Sequence, residues 1–300
     1  MNSASLGDSP LARELADLAL RRRIFSAAAP PLPRFTRIFT VANQKGGVGK
    51  TTTTVNMAAS LARMGARVLV IDLDPQGNAS SALGFDTHEQ RLGIYDVLTG
   101  EKTFSDVVRQ SPEAAELFCA PSSLDLVGIE IDMVDFEARE YVLQRALNEY
   151  LRLPGGGFHY VFIDCPPSLG LLTLNALVAA REILIPMQCE YYALEGVTQL
   201  MTTVSKVNAK LNPTLTISNV LLTMYDGRTN LSQEVAADVR SYFGDLVLNA
   251  VIPRAVRVSE APSHGKTVIS YDTNSVGAVA YYEAAYELAQ RGAAAEQEAS

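Results

Sequence analysis

Between residues 45 and 52 the chain reads Lys45-Gly46-Gly47-Val48-Gly49-Lys50-Thr51-Thr52, a set of residue types suited to gripping a phosphate chain. Gly46, Gly47 and Gly49 let successive backbone amides turn inward with no Cβ in the way. The apolar run 37–42 before the loop reads as a strand, and 50–64 after it as a helix stopped by Gly65. The unpaired N–H groups of that helix's first turn, at Lys50, Thr51 and Thr52, then face any anion the loop holds. Lys50 is placed to reach β- and γ-phosphates, and the Thr51 hydroxyl to ligate Mg²⁺. The implied chemistry is binding of a nucleoside triphosphate, ATP, with Mg²⁺. The general Gly-x-x-x-x-Gly-Lys-Ser/Thr pattern is only partly met, because Gln44 stands where its first glycine belongs and a second lysine, Lys45, follows.

Two acidic segments are candidates to complete the site. In Val70-Ile71-Asp72-Leu73-Asp74-Pro75-Gln76-Gly77-Asn78, the two carboxylates share a side only if the strand continues through them. Pro75 argues that it does not, which puts the pair on a turn above the phosphate loop. Tyr160-Val161-Phe162-Ile163-Asp164 is an apolar strand ending in a carboxylate, followed by Cys165-Pro166-Pro167-Ser168. A carboxylate there, in register behind the glycine loop, falls beside Thr51 and completes a magnesium shell.

Lys-Gly-Gly-Val-Gly-Lys-Thr-Thr resembles the deviant phosphate loop of the ParA/MinD ATPases, and the resemblance extends from about residue 37 to residue 290. Its other carriers are 72–78, Asp164–Ser168, 185–196 (Ile-Pro-Met-Gln-Cys-Glu-Tyr-Tyr-Ala-Leu-Glu-Gly) and 252–265. The resemblance implies that Lys45 crosses a dimer interface to the partner's nucleotide and that Asp74 positions the attacking water. It also implies that Asp72 helps hold Mg²⁺ through water, that the Pro-Pro step is a switch loop, and that Met224 and Pro253 line the adenine.

These residues need a scaffold. Continuously apolar runs at 67–72, 160–164, 182–186, 215–223 and 246–252 read as buried strands. Helical patterns fill 137–151, 169–180, 194–211, 231–242 and 277–290. The alternation predicts an α/β fold, a mainly parallel twisted sheet with helices on both faces, of the P-loop type. Residues 1–35 differ. They end in Ala29-Pro30-Pro31-Leu32-Pro33, a stiff linker signal. Within them Asp8-Ser9-Pro10 caps a short helix carrying Leu11, Leu15 and Leu18 up to Arg21-Arg22-Arg23. We therefore expect a flexible arm over 1–35, an ATPase domain over 36–292 and a disordered tail over 293–300.

Composition narrows the function classes. No run of 18 apolar residues reads as a membrane span, and the N-terminus lacks the basic-then-apolar order of a secretory signal. Cys119, Cys165 and Cys189 are odd in number and widely spaced, which fits a reducing cytoplasm and three small core residues. They do not match the cluster cysteines of nitrogenase-like iron proteins. Tyr281, Tyr282 and Tyr286 sit at helical spacing, as core residues do, and not as the tyrosine tail of an autokinase. The C-terminus is small and acidic, unlike the basic amphipathic membrane helix of MinD-type proteins. The partition branch of the family remains. It implies an ATP-bound homodimer that binds double-stranded DNA without sequence preference, a ParB-type centromere-binding partner that stimulates hydrolysis, and a cytoplasmic, nucleoid-associated location. Against a net charge of −8, the residues suited to phosphate contact are Arg228, Arg254, Arg257 and Lys266. The alternative is a MinD-like membrane-surface or polar positioning ATPase, with the arm as its anchor or as the docking element for a polar scaffold protein.

Overall fold

The computed structural model describes residues 10–27, 29–86 and 92–298. Its strands are β1 (Arg37–Val41), β2 (Val68–Asp72), β3 (Arg109–Gln110), β4 (Leu117–Ala120), β5 (Tyr160–Asp164), β6 (Glu182–Gln188), β7 (Thr216–Tyr225) and β8 (Val247–Pro253). They form one sheet in the order β3-β4-β2-β5-β1-β6-β7-β8, parallel throughout except for the β3–β4 pair. Parallel neighbours require crossovers, and helices supply them. In chain order these are α1 (Pro10–Ala27), α2 (Lys50–Arg63), α3 (Asn78–Ala82), α4 (Ile94–Leu98), α5 (Phe104–Val107), α6 (Ile129–Asp132), α7 (Val142–Leu151), α8 (Leu171–Ala179), α9 (Glu195–Lys210), α10 (Asn230–Phe243), α11 (Val256–Glu260), α12 (Val268–Tyr271) and α13 (Val276–Glu298).

The strands read as continuously apolar because both faces of the sheet are covered. Alternate residues feed two cores. Ile38, Leu69, Ile71, Val161 and Ile163 enter one; Phe39, Val41, Val68, Val70 and Phe162 enter the other, with Phe39 stacked on Phe162 at 5.3 Å. Cys119, Cys165 and Cys189 are free and buried within these cores, and Tyr281 and Tyr282 are buried in the second. The six long strands and the five long helices between 137 and 290 fall where the apolar pattern predicts them. β3, β4 and the short helices α3 to α6 were not legible, since segments of two to five residues are too short to show a period.

At the C-terminus α13 runs past the expected boundary at 292 to Glu298, with residues 299 and 300 outside the described chain. Ala278, Ala284 and Ala285 are fully buried on its inner side, so small side chains let it lie close. Along its other side lies α1. Arg21 makes a two-pronged contact with Glu283, both bonds at 2.6 Å, and Phe25 meets Tyr286 edge-on at 5.7 Å. α1 is thus held against the body by these contacts. Its Asp8-Ser9 cap lies outside the described residues.

β1 sits in the middle of the sheet between β5 and β6. The crossovers leave it in opposite directions, which opens a crevice at the carboxyl ends of the strands. The phosphate loop, the 72–78 turn and the 164–168 loop all lie at that end.

Candidate nucleotide-binding site

The loop from Gln44 to Gly49 joins the central strand to α2. Gly47 and Gly49 have φ of 74° and 90°, a left-handed region that a side chain disfavours. Gly49 is also the N-cap of α2 and offers no side-chain cap, so the first-turn amides are left for an anion. Thr223 pins the loop from β7 by donating its hydroxyl to Val48 O at 2.8 Å. A cleft of roughly 280 Å³ lies over the loop, lined by Gly46, Gly47, Lys50, Thr51, Asp74 and Met224.

The two lysines of the loop are placed differently. Lys50 is buried to 7% exposure, its Nζ 3.5 Å from Lys45 O. Burial lowers its pKa, against the opposing pull of the Asp164 charge. Lys45 stays on the rim. Its Nζ lies 3.5 Å from Glu190 Oε2, and the other oxygen of Glu190 accepts from Arg254 at 3.2 Å. One carboxylate on the 185–196 segment therefore joins the early lysine to an arginine after β8.

Asp164 ends β5 with no exposure to solvent. It accepts from Thr51 Oγ1 at 2.7 Å and from Thr54 Oγ1 at 2.8 Å. The parallel register puts Asp72 directly opposite it. Burial first, and then the Asp72 charge, push the Asp164 carboxyl far above the ordinary carboxylate range, and the two threonine bonds only partly offset this. Two buried acids side by side with hydroxyl oxygen next to them make a hard-oxygen set that a cation stabilises, which fits Mg²⁺. Among the described residues no cluster of three or more His, Cys, Asp or Glu could hold a metal unaided. Thr51 and Asp164 are the side chains that would hold such a cation, with further ligands supplied from outside the protein.

Asp72 and Asp74 part company, as the turn at Pro75 requires. Asp72 is fully buried: one oxygen accepts from the Asp74 amide at 3.2 Å, the other from the Ser80 amide at 2.8 Å and hydroxyl at 2.6 Å. Those contacts shape the loop between β2 and α3, and they leave Asp72 opposite Asp164, where the resemblance implies a hold on Mg²⁺ through water. Asp74 lines the cleft instead, and among the described residues its carboxylate accepts only from the Gln76 amide, at 3.0 Å. Its remaining oxygen has no bond within the protein among the described residues.

Met224 and Pro253 come together beside the loop. With Gly49, Thr52, Arg254 and Tyr281 they line a small cleft of roughly 90 Å³ that meets the first one at Gly49, Thr52 and Met224. Met224 has φ of 52°, a conformation costly for a side-chain-bearing residue. Such strain collects where a backbone must turn against a ligand.

Of the four basic residues singled out for phosphate contact, three already have carboxylate partners. Arg228 pairs with Asp226 at 2.8 Å, Arg254 with Glu190, and Arg257 with Glu260 at 3.0 Å and Asp272 at 3.6 Å. Lys266 is exposed on the loop before α12. Arg228 and Arg254 lie near enough to one another that both depress the Asp226 carboxyl, to about 2. Glu190, Thr54 and Ser80 are the site residues that sequence reasoning passed over. Glu190 stood inside a quoted motif, yet only the tertiary fold reveals its partners.

A family model described as an AAA domain matches residues 36–217. The chromosome partitioning protein ParA of Caulobacter vibrioides is 51% identical over 255 residues, covering 85% of this chain and 94% of that one. The sporulation initiation inhibitor protein Soj of Bacillus subtilis is 49% identical over 256 residues, 85% and 99% of the two chains. Among solved structures, the cobyrinic acid a,c-diamide synthase of Mycobacterium smegmatis with bound ADP and magnesium superposes with a TM-score of 0.72 at 40% identity, covering 84% and 93%. With the phosphate loop, the buried acid of β5 and this identity across more than four-fifths of its length, the chain belongs to the ParA/Soj family of P-loop ATPases.

Proposed function

We propose that the chain partitions DNA by an ATP-driven cycle of dimer closure and release. The observation that carries this is the placement of Lys45. Its ammonium turns out of its own phosphate loop to the rim, while Lys50 alone serves the interior. A lysine so placed is free to meet the nucleotide of a second copy. ATP occupies the cleft over Gly46 to Thr52 with its base toward Met224 and Pro253, and Thr51 and Asp164 hold Mg²⁺, which when bound neutralises phosphate charge. Asp74 holds a water in line with the γ-phosphate through its unused oxygen, and Lys50 and the partner's Lys45 stabilise the charge that develops. Loss of the γ-phosphate releases the loop after Asp164, and the dimer opens.

The closed dimer binds double-stranded DNA through Arg228, Arg254, Arg257 and Lys266, which places the protein on the nucleoid. A ParB-type partner stimulates hydrolysis. A gel shift on nonspecific duplex DNA with ATP, ADP or no nucleotide tests this reading: retention is expected with ATP alone. Asp74→Ala is expected to bind ATP, retain DNA and lose hydrolysis by at least about a hundredfold. Equal retention in all three nucleotide states, or normal turnover in that variant, refutes it. A second reading, a membrane-surface or polar positioning ATPase, draws on α1, which exposes Leu20 and Ile24 beside Arg22 and Arg23. Liposome flotation with and without residues 1–34 separates the two.

A further inference from the structure

The phosphate loop is tied to the neighbouring strands at both of its shoulders. At the entry, the buried side chain of Asn43 accepts from the Lys45 amide at 3.1 Å and donates to Pro186 O of β6 at 2.8 Å. At the exit, Thr223 of β7 donates its hydroxyl to Val48 O at 2.8 Å. The crest between them is open: a Cβ on Gly46 or Gly47 would meet no atom within 4 Å. Packing therefore does little to turn the crest peptides one way or the other. The hydrogen bonds at the shoulders orient them.

The exit bond bears directly on phosphate binding. Val48 C=O and Gly49 N–H belong to one planar trans peptide, so they point in opposite directions. With the oxygen held on β7, the Gly49 N–H is turned toward the cleft that Gly46, Gly47, Gly49 and Lys50 line. Among the described residues that amide donates to no backbone group of the protein. A free amide where a glycine loop meets a helix is the group that receives a phosphate oxygen.

Thr223 is well fixed for this task. It is 2% exposed, Gln188 stands opposite it in the sheet, and its own carbonyl accepts from the Cys189 amide at 3.1 Å. A β-branched side chain has few rotamers to choose from. Its Cγ2 lies 3.9 Å from the place of a Cβ on Gly49, so the methyl rests against the loop while the hydroxyl holds it. Val48 is buried as well. Without the hydroxyl its carbonyl would lose a partner where water cannot replace it.

We propose that Thr223 is a positioning residue for the nucleotide, acting through Val48 to hold the Gly49 amide in its phosphate-binding orientation before ATP arrives. Loop amides of this kind cradle the α- and β-phosphates, so ATP and ADP depend on Thr223 alike. Its effect falls on affinity, because those phosphates are gripped equally before and during attack on the γ-phosphate. The role rests on the reading of the cleft over Gly46 to Thr52 as the ATP site.

The test titrates the full chain with a fluorescent ATP analogue and Mg²⁺, with ADP in competition, at a temperature where circular dichroism shows each variant folded. Thr223→Val removes the hydroxyl and keeps the branched shape. Both nucleotides are expected to weaken by about tenfold or more, as the loss of one hydrogen bond to a charged group does. In steady-state turnover the fall in kcat/KM should be carried mainly by KM. Thr223→Ser restores the hydroxyl and should recover most of the loss. Thr40→Val serves as the control, since Thr40 is fully buried and donates to Ala176 O at the same 2.8 Å, outside the loop. It should lower the melting temperature yet leave both affinities in place. Wild-type affinity in Thr223→Val overturns the proposal, as does an equal loss in Thr40→Val or no recovery in Thr223→Ser. Should Thr223→Val fail to fold, Thr223→Ser against Thr223→Ala makes the same comparison. Lys50→Ala probes the site itself. If that variant binds ATP as wild type does, the reading of the cleft falls; a loss there with none in Thr223→Val strikes only the role of Thr223.

Discussion

Lys45 and Glu190 are paired across the rim of the nucleotide site, 145 residues apart in sequence, at 3.5 Å. Both side chains are partly open to solvent, at 33% and 42% exposure, so the attachment is weak enough to exchange. Lys45 must leave Glu190 to reach a second nucleotide. Glu190→Gln is therefore expected to lower the concentration of a non-hydrolysable ATP analogue that half-converts monomer to dimer. An exposed pair contributes about 0.2–1 kcal/mol, so the shift is at most about fivefold. Sedimentation velocity across an analogue titration reads it. Lys45→Ala should give no dimer at any concentration, and an unchanged midpoint in Glu190→Gln would mean that the pair does not restrain the lysine.

The buried acids predict how stability depends on pH. Burial and the neighbouring Asp72 charge raise the Asp164 carboxyl to about 8, above its value in an unfolded chain. A group shifted this way adds stability below the ordinary carboxylate range and loses it as pH climbs toward 8. Asp164→Asn removes the titration. The nucleotide-free variant should melt higher than wild type at pH 8, by about 2–4 °C for each kcal/mol relieved, and the gap should close near pH 4. Mg²⁺ with ATP should raise the melting temperature of wild type and leave the variant nearly unmoved. Parallel melting curves across that pH range would remove the strain attributed to Asp164.

The same residues show how far a sequence can be read. Asp164 was recognisable because a buried strand writes its own signature, four apolar residues and a terminal acid, and its place opposite the phosphate loop follows from parallel pairing. The turn at Asp74 was legible in Pro75. The partners of Asp72 were not, because Ser80 and the Asp74 amide reach its two oxygens only once α3 folds back. Glu190 escaped for a like reason: its partners come from the phosphate loop and from the segment after β8.

The proposed DNA contacts should not be equal. Arg228 is 89% exposed and, among the described residues, paired with Asp226 two positions before it, a pair that a DNA phosphate can replace at little cost. Arg257 is shared between Glu260 and Asp272 and lies over the Tyr271 ring. Arg228→Ala should therefore weaken ATP-dependent DNA retention more than Arg257→Ala. It should also reduce the slope of log affinity against log salt by about one, as the loss of one phosphate contact does. Filter binding from low to moderate salt measures both quantities. An unchanged slope in Arg228→Ala would take that residue out of the interface.

The arm offers a last case, in which one ion pair holds an element in place. α1 meets α13 through the two bonds from Arg21 to Glu283 and the contact of Phe25 with Tyr286. Arg21 is 43% exposed, which screens the pair, but the geometry is bidentate and Glu283 is mostly covered. Its loss should cost about 1 kcal/mol, roughly a fivefold rise in the population of the undocked arm. Arg22 and Arg23 stand in water on the same helix and are sites for trypsin once the helix frays. Arg21→Ala should thus be cut there about fivefold faster than wild type under brief, dilute protease, where cleavage tracks the open population. Turnover and DNA retention should stay as they were, since none of the described side chains of α1 bonds to the phosphate loop or to the basic residues. If cleavage is no faster, the arm is held by its apolar contact, and Phe25→Ala becomes the variant that releases it.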